Sequence, residues 1–180
     1  MRSEYSGVQL TALVALRFAI GWHFFYEGVS KFVNPYWTAA GYLESSQGFM
    51  SEYFLDLAAN PGTLAFVDQL NVWGLILVGL GLMLGGLTRT ATVFGIIMLL
   101  LYYLATPPWP GLEYTIPAEG AYLIINKTLI ELCALLVTLF FPTGHIVGLD
   151  RLLRLARARG SVQPGILRMT PTRNPAEDDR

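Results

Sequence analysis

The chain has 180 residues, 53% of them hydrophobic and only 14% charged, with a mean hydropathy of +0.47. A soluble domain carries about 25% charged residues, so this composition excludes an ordinary globular protein and predicts an integral membrane protein. The net charge of −1 points to no class of partner, no nucleic acid is expected, and a single cysteine, Cys133, excludes an intrachain disulfide framework, a CxxC pair and a Cys/His metal spacing.

Residues 1–8 form a short lead containing Arg2. Span one, 9–33 (QLTALVALRFAIGWHFFYEGVSKFV), is 25 residues long and reaches across a bilayer. It reads as a retained span rather than a cleaved signal, being too long, charged, and without a small-residue cleavage site. It carries Arg17, His23, Glu27 and Lys31. At ~100° per residue these four fall within an arc of roughly 120°. His23, Glu27 and Lys31 follow at i, i+4 steps, one above the next. Ionisable groups in hydrocarbon are costly and face a protein interior or a wet cavity. The rest of the chain must shelter this stripe.

Asn34-Pro35 reads as a helix start, with Asn34 as cap and Pro35 at the first helical position. The segment 35–59 is aromatic, mildly acidic and free of Lys and Arg. It predicts one or two short helices at the outer interface. Asn60-Pro61-Gly62 restarts the chain. Span two, 64–87, has Asp68, Gln69 and Asn71 at its outer end, and its Gly81/Gly85 step predicts close packing within the chain. Thr88-Arg89-Thr90 is a tight inner turn. Span three, 90–106, ends in Tyr102-Tyr103. The loop 107–119 is too rich in proline for a helix interior and belongs outside the bilayer. Span four, 120–141, stops at Pro142. A basic amphipathic helix follows at 148–159, with Leu149, Leu152, Leu153 and Ala156 on one face and Arg151, Arg154, Arg157 and Arg159 on the other. The polar, proline-containing tail 161–180 predicts disorder on the cytoplasmic side.

The loops after spans one and three contain no Lys or Arg, whereas Arg2, Arg89 and the C-terminal arginines lie on the other side. The positive-inside rule then puts both termini in the cytoplasm. The expected fold is all-α: an antiparallel four-transmembrane-helix bundle forming a single domain over residues 1–160, with an outer interfacial segment and the basic C-terminal helix.

Topology sets depth. Arg17 falls in the inner half of span one, His23 near the middle, and Glu27 and Lys31 in the outer half. Span four returns with Asn126 and Lys127 outer and Glu131 near the middle, Lys127 and Glu131 again at i, i+4. Asp68 and Asn71 join them from span two. One reading is a set of interhelical ion pairs that fix the register of the bundle. Such polar contacts average only ~0.6 kcal/mol in membranes, a weak reason to place so many. The other reading is a cavity open to the outer face that binds a polar or redox-active small molecule, with His23, Glu27 and Glu131 handling protons. Arg17 would meet an anionic group there or snorkel to the inner surface. Trp22, Tyr26, Tyr102 and Tyr103 could flank a quinone ring; an interfacial belt or core packing is the alternative.

LRFAIGWHFFYEGVSKF (16–32), NPYWTAAGYL (34–43), GLGLMLGGLTRTA (79–91) and PTGHIVGLDRLL (142–153) resemble the DoxX/DoxD family of small four-span membrane proteins. The similarity covers roughly residues 9–155, and the first two blocks are similar to the DoxD branch, the membrane subunit of thiosulfate:quinone oxidoreductase. The resemblance implies a four-helix bundle in a prokaryotic cytoplasmic membrane, a quinone acceptor and oxidation of thiosulfate to tetrathionate. It also implies a small DoxA-like second subunit as a possible partner. Many members carry an acid near the middle of span two, where this chain has Ile76 and Val78. On this reading a reduced sulfur anion is bound by Lys31 and Lys127 with Asp68, Asn71 and Arg17, and a diffusible quinone by Trp22, Tyr26 and Tyr102. No metal, flavin or haem is expected, and a homo-oligomer is left open. The alternatives are a non-enzymatic accessory subunit that docks another oxidoreductase, and a small-solute or proton carrier.

Overall fold

The computed structural model describes residues 5–112, 114 and 123–160, the last four by their backbone alone. Helix α1 runs over Gly7–Val33. Its start is fixed by a capping box: the Ser6 hydroxyl accepts from the Gln9 N–H at 3.3 Å, and the Gln9 side chain accepts from the Ser6 N–H at 2.9 Å. The 27 residues span about 40 Å at helical rise, more than a bilayer's hydrocarbon thickness.

Asn34 ends α1 instead of starting a new helix, which corrects the expectation at Asn34-Pro35. Its side-chain oxygen accepts from the Tyr36 N–H at 3.1 Å, two residues on. That is an Asx turn, a local alternative to capping that Asn favours equally. The predicted interfacial segment becomes two short helices, α2 (Ala40–Glu44) and α3 (Ser51–Ala59). They fold over the ends of the long helices around a small core of Ala39, Leu43, Phe54 and Ala105. The buried Ser46 hydroxyl donates to the Ala105 carbonyl at 2.7 Å, so this segment also covers a helix terminus.

Helix α4 (Pro61–Leu84) begins as expected, with the Asn60 side chain accepting from the Gly62 and Thr63 N–H groups and Pro61 in the first turn. It stops at Gly85, whose φ of 63° is left-handed, with the Gly86 N–H bonded to the Gly81 carbonyl at 3.0 Å. This is a Schellman closure. Helix α5 (Thr88–Ala105) follows at once, so Thr88-Arg89-Thr90, expected as the inner turn, is its first helical turn, and the reversal is made by Gly85 to Leu87 with left-handed backbone at Gly85 and Leu87.

Helix α6 covers only Lys127–Phe140. The expected fourth span began at 120; residues 120–122 lie outside the described residues, and 123–126 are not helical. The cause is local: Asn126 caps the helix by accepting from the Leu129 N–H at 2.9 Å, and Leu123 is left-handed at φ 62°. Fourteen residues reach about 21 Å, short of the ~30 Å hydrocarbon core. Helix α7 (Leu149–Gly160) closes the described chain, and the tail from 161 lies outside it.

The described residues are therefore all-helical, without a strand element, and three helices are long and apolar enough to cross a membrane: α1, α4 and α5. Contacts run from α1 to α4, α4 to α5, α5 to α6, and α6 back to α1. The core between them is Ile20, Phe24, Leu75, Val78, Leu82, Ala91, Leu99 and Leu135. The helices α1 and α4 pack most extensively, and glycine lets them approach. A Cβ on Gly28 would lie 2.8 Å from the Ile76 backbone nitrogen, and one on Gly79 would overlap the backbone of Phe25. Large apolar side chains such as Phe18, Phe66, Leu77 and Phe94 point outward and half-exposed or more. An apolar solvent makes that outward face stable, in keeping with a membrane protein.

Candidate functional site

The stripe on α1 finds its shelter between α1, α4, α5, α6 and the segment that precedes α2. These elements enclose a cavity of ≈ 450 Å³, within the range of small-molecule sites. His23, Glu27 and Lys31 line it from α1, Asn71 from α4, Tyr102 from α5, and Lys127 and Glu131 from α6. Seven of the predicted site residues thus meet in one place.

Their pairing has a definite pattern. His23 Nδ1 and Glu131 Oε1 lie 2.6 Å apart, joining α1 to α6. Lys31 Nζ donates to Glu27 Oε2 at 2.6 Å along one face of α1. The Lys31 ammonium also sits 5.6 Å over the Trp37 ring, a favourable cation–π geometry. On the opposite wall Asn71 Nδ2 donates to the Tyr102 hydroxyl at 2.9 Å. Asn71 Oδ1 is buried and has no hydrogen-bond partner among the described residues. The Tyr102 hydroxyl keeps its own proton available to donate. The floor is apolar: Phe24, Leu75 and Leu99 belong both to the cavity and to the core.

Several lining residues were not singled out by sequence reasoning. Trp37, Thr38, Ala39 and Tyr42 come from the aromatic segment, and Thr106, Pro108 and Tyr114 from the loop after α5. Tyr42 is fixed by its hydroxyl, 2.9 Å from the Tyr102 carbonyl and 2.7 Å from the Thr106 hydroxyl. Burial pushes the Tyr42 phenol above its ordinary pKa, against the Thr106 hydrogen bond, and burial raises Tyr114 too. Both remain neutral donors at physiological pH. The sequence signal for this wall was present. A segment free of Lys and Arg, tied to span one by a tight Asn-Pro turn, has to fold back over the end of that span.

Four predicted residues lie elsewhere. Asp68 Oδ1 accepts from the Ala39 N–H at 2.7 Å and so anchors the chain leading into α2. Trp22 and Tyr26 are 51% and 61% exposed on the outer surface of α1, away from the cavity. Arg17 is buried toward the opposite end of α1, where its guanidinium donates to the Thr143 hydroxyl and the Val147 carbonyl, each at 2.9 Å. Arg17 therefore holds the segment after α6 against α1, in place of the substrate contact expected of it. Nearby, Asp150 clamps the turn between α4 and α5. Its carboxylate accepts from the Leu87 N–H at 2.7 Å, the Thr88 N–H at 3.1 Å and the Thr88 hydroxyl at 2.9 Å.

Among the described residues no group of three or more His, Cys, Asp or Glu side chains is placed to hold a metal. What the cavity offers is two cationic ammonium groups, two carboxylates, a histidine, and neutral hydroxyl and amide groups over an apolar floor. Such a set has the chemistry to hold a small anion or an aromatic carbonyl compound.

No curated protein and no solved structure matches the chain. One family model, DoxX, matches residues 12–107. The matched stretch carries His23, Glu27, Lys31, Asn71 and Tyr102, while Lys127 and Glu131 lie beyond it. Because the match runs from α1 through α5 and takes in more than half of the 180 residues, the protein belongs to the DoxX family.

Proposed function

We propose that this DoxX protein is a membrane oxidoreductase that oxidises a reduced sulfur anion, thiosulfate, and passes the electrons to a quinone. The observation that carries the reading is the single cavity in which four helices bring together His23–Glu131, Lys31–Glu27, Lys127 and the Asn71–Tyr102 wall. Lys31 and Lys127 attract the anion. The His23–Glu131 pair, with Glu27, holds and releases protons. Two thiosulfates form one S–S bond and release two electrons and no proton. Reduction of a quinone consumes those two electrons and two protons, which gives the titratable groups a role. The Asn71–Tyr102 wall suits such a ring. The Tyr102 hydroxyl, held by the Asn71 amide, donates to a carbonyl oxygen of the ring.

In this reading α6 serves as the fourth helix of an antiparallel four-helix bundle in a prokaryotic cytoplasmic membrane. Both termini are cytoplasmic, and the cavity sits in the outer half. A DoxA-like small subunit is the partner this function would use.

The test is reduction of a quinone by thiosulfate with purified protein in lipid nanodiscs, alone and with co-expressed neighbours. Turnover is expected, with tetrathionate formed one-to-one with quinol. His23→Ala and Glu27→Gln should each lower kcat on the order of a hundredfold. Absence of turnover with every quinone and neighbour tried would overturn the assignment.

A further inference from the structure

A second cavity, ≈ 480 Å³, lies at the Arg17 end of the helices. It is lined by Leu87 and the first turn of α5 (Thr88 to Thr90), by Pro142, Gly144 and His145 after α6, and by Asp150, Leu153 and Arg154 of α7. None of these residues takes part in the proposed reaction. The Asp150 carboxylate takes two of the backbone donors at the start of α5, the Leu87 and Thr88 N–H groups. Arg89 and Arg154 bring guanidinium groups to the cavity, beside His145 and the hydroxyls of Thr88 and Thr90. One carboxylate, held by three hydrogen bonds, faces two guanidinium groups, so the cavity is net cationic.

Its rim is apolar. Leu87 is 68% exposed and Leu153 47%, and the neighbouring Leu149 and Leu152 of α7 are exposed as well. A small free anion would use the guanidinium groups and leave this rim idle. An amphiphilic anion would use both. The position selects the same ligand, for the cavity opens at the ends of α4 and α5, two helices of membrane-crossing length, where headgroups lie. Guanidinium groups match phosphate oxygens in two-pronged geometry.

We infer that this cavity is a binding site for the phosphate of an anionic phospholipid. Arg89 and Arg154 hold the phosphate, His145 lies beside it, and the acyl chains run over Leu87 and Leu153. Asp150 is a positioning residue: it ties the start of α5, which carries Arg89, to α7, which carries Arg154. The bound lipid would staple the α4–α5 turn to α7 from the membrane side.

The experiment is native mass spectrometry of the full-length protein in detergent, titrated with phosphatidylglycerol, with phosphatidylcholine, and with phosphatidylglycerol in the presence of excess inorganic phosphate. Phosphatidylglycerol should be retained and phosphatidylcholine should not, and inorganic phosphate should fail to displace the lipid. The Arg89→Gln/Arg154→Gln pair should weaken retention on the order of tenfold or more. Both arginines are exposed, so folding is not at issue, and unfolding temperature in detergent checks it. Arg151→Gln, on α7 but outside the cavity, should leave retention unchanged. Equal loss with Arg151→Gln would reduce the effect to general surface charge and overturn the site. Displacement by inorganic phosphate would make it a free-anion site, and unaltered retention in the double variant would remove it.

Discussion

A lysine–carboxylate ion pair and a histidine–carboxylate contact of equal length hold four of the titratable side chains in the cavity, but their geometry differs. Lys31 and Glu27 sit one turn apart on α1, and such i, i+4 pairs contribute only about 0.3–0.5 kcal/mol. Glu27 is also 44% exposed, so a ligand can take either partner from the other at small cost. His23 and Glu131 come from different helices, and the Glu131 side chain is only 13% exposed. That pair both ties α1 to α6 and keeps an acid and a base in contact. Arg17 shows how an intramembrane charge acquires a purely positional use, since its partners are a hydroxyl and a carbonyl after α6. Asp150 does the same from the far side. Burial pushes its carboxyl up, but the Thr88 and Leu87 N–H groups, the Thr88 hydroxyl and the charge of Arg154 outweigh this and hold it below its ordinary value. A carboxyl lowered in the folded state stabilises fully above its unfolded pKa, about 3.9, and that stabilisation fades as pH falls through the lower, folded value. Asp150→Asn should therefore cost about 1–2 kcal/mol near neutral pH, as for loss of a helix cap. Thermal unfolding in detergent should show the gap between the two proteins narrowing only below about pH 4. A gap that is constant down to pH 2 would mean the charge is not what the turn uses.

Glycine and asparagine decide most of the element boundaries. Asn60 and Asn126 cap the helices that follow them, while Asn34 bonds its own backbone and ends the helix before it. The same residue type is compatible with all three outcomes, which is why sequence reading found the helix start at Asn60 but took Asn34 for a start and placed Asn126 inside span four. The Gly81/Gly85 step packs inside the chain as expected: a Cβ on Gly81 would meet that of Ala91 in α5 at 2.8 Å. The tighter contact is the α1–α4 crossing at Gly28 and Gly79. No spacing within α4 marks Gly79 as its partner-facing glycine, because that depends on the rotation of α1 against it. Gly79→Ala should destabilise the fold by about 1–3 kcal/mol or more through overpacking against the Phe25 backbone. Gly41→Ala, in α2 with open space around its Cβ, should be neutral or slightly stabilising. Chemical or thermal unfolding of the two variants side by side measures the contrast; equal effects would contradict the crossing.

At the scale of the molecule the cavity is closed on one side. Below Phe24, Leu75 and Leu99 come Ile20, Val78, Leu82, Ala91 and Leu135, with Leu82 and Leu135 fully buried. The buried hydroxyls beyond, Thr92 and Thr138, donate to carbonyls of their own helices, Thr88 and Leu135. Each is bonded within its own helix rather than across that layer. If the cavity reduces a quinone, its protons must come from the side on which the anion enters. In proteoliposomes of fixed orientation, turnover should raise pH only in the compartment that receives thiosulfate, with no membrane potential developing. Alkalinisation of the opposite compartment would show a route through the core. The membrane class, the three long helices and the stripe of His23, Glu27 and Lys31 were all legible in the sequence. Hydropathy, length and helical period act within single segments, and a bilayer enforces them strongly. The same local periodicity identified Lys127 and Glu131 as a pair on α6. It could not say that Glu131 meets His23 while Lys31 keeps Glu27, nor that Arg17, Asp68, Trp22 and Tyr26 fall outside the cavity. Those outcomes depend on how far each helix is rotated and shifted against its neighbours. That choice is made by close packing at Gly28 and Gly79, by the fold-back of the aromatic segment over the cavity, and by the clamps of Arg17 and Asp150, all contacts between residues distant in the chain.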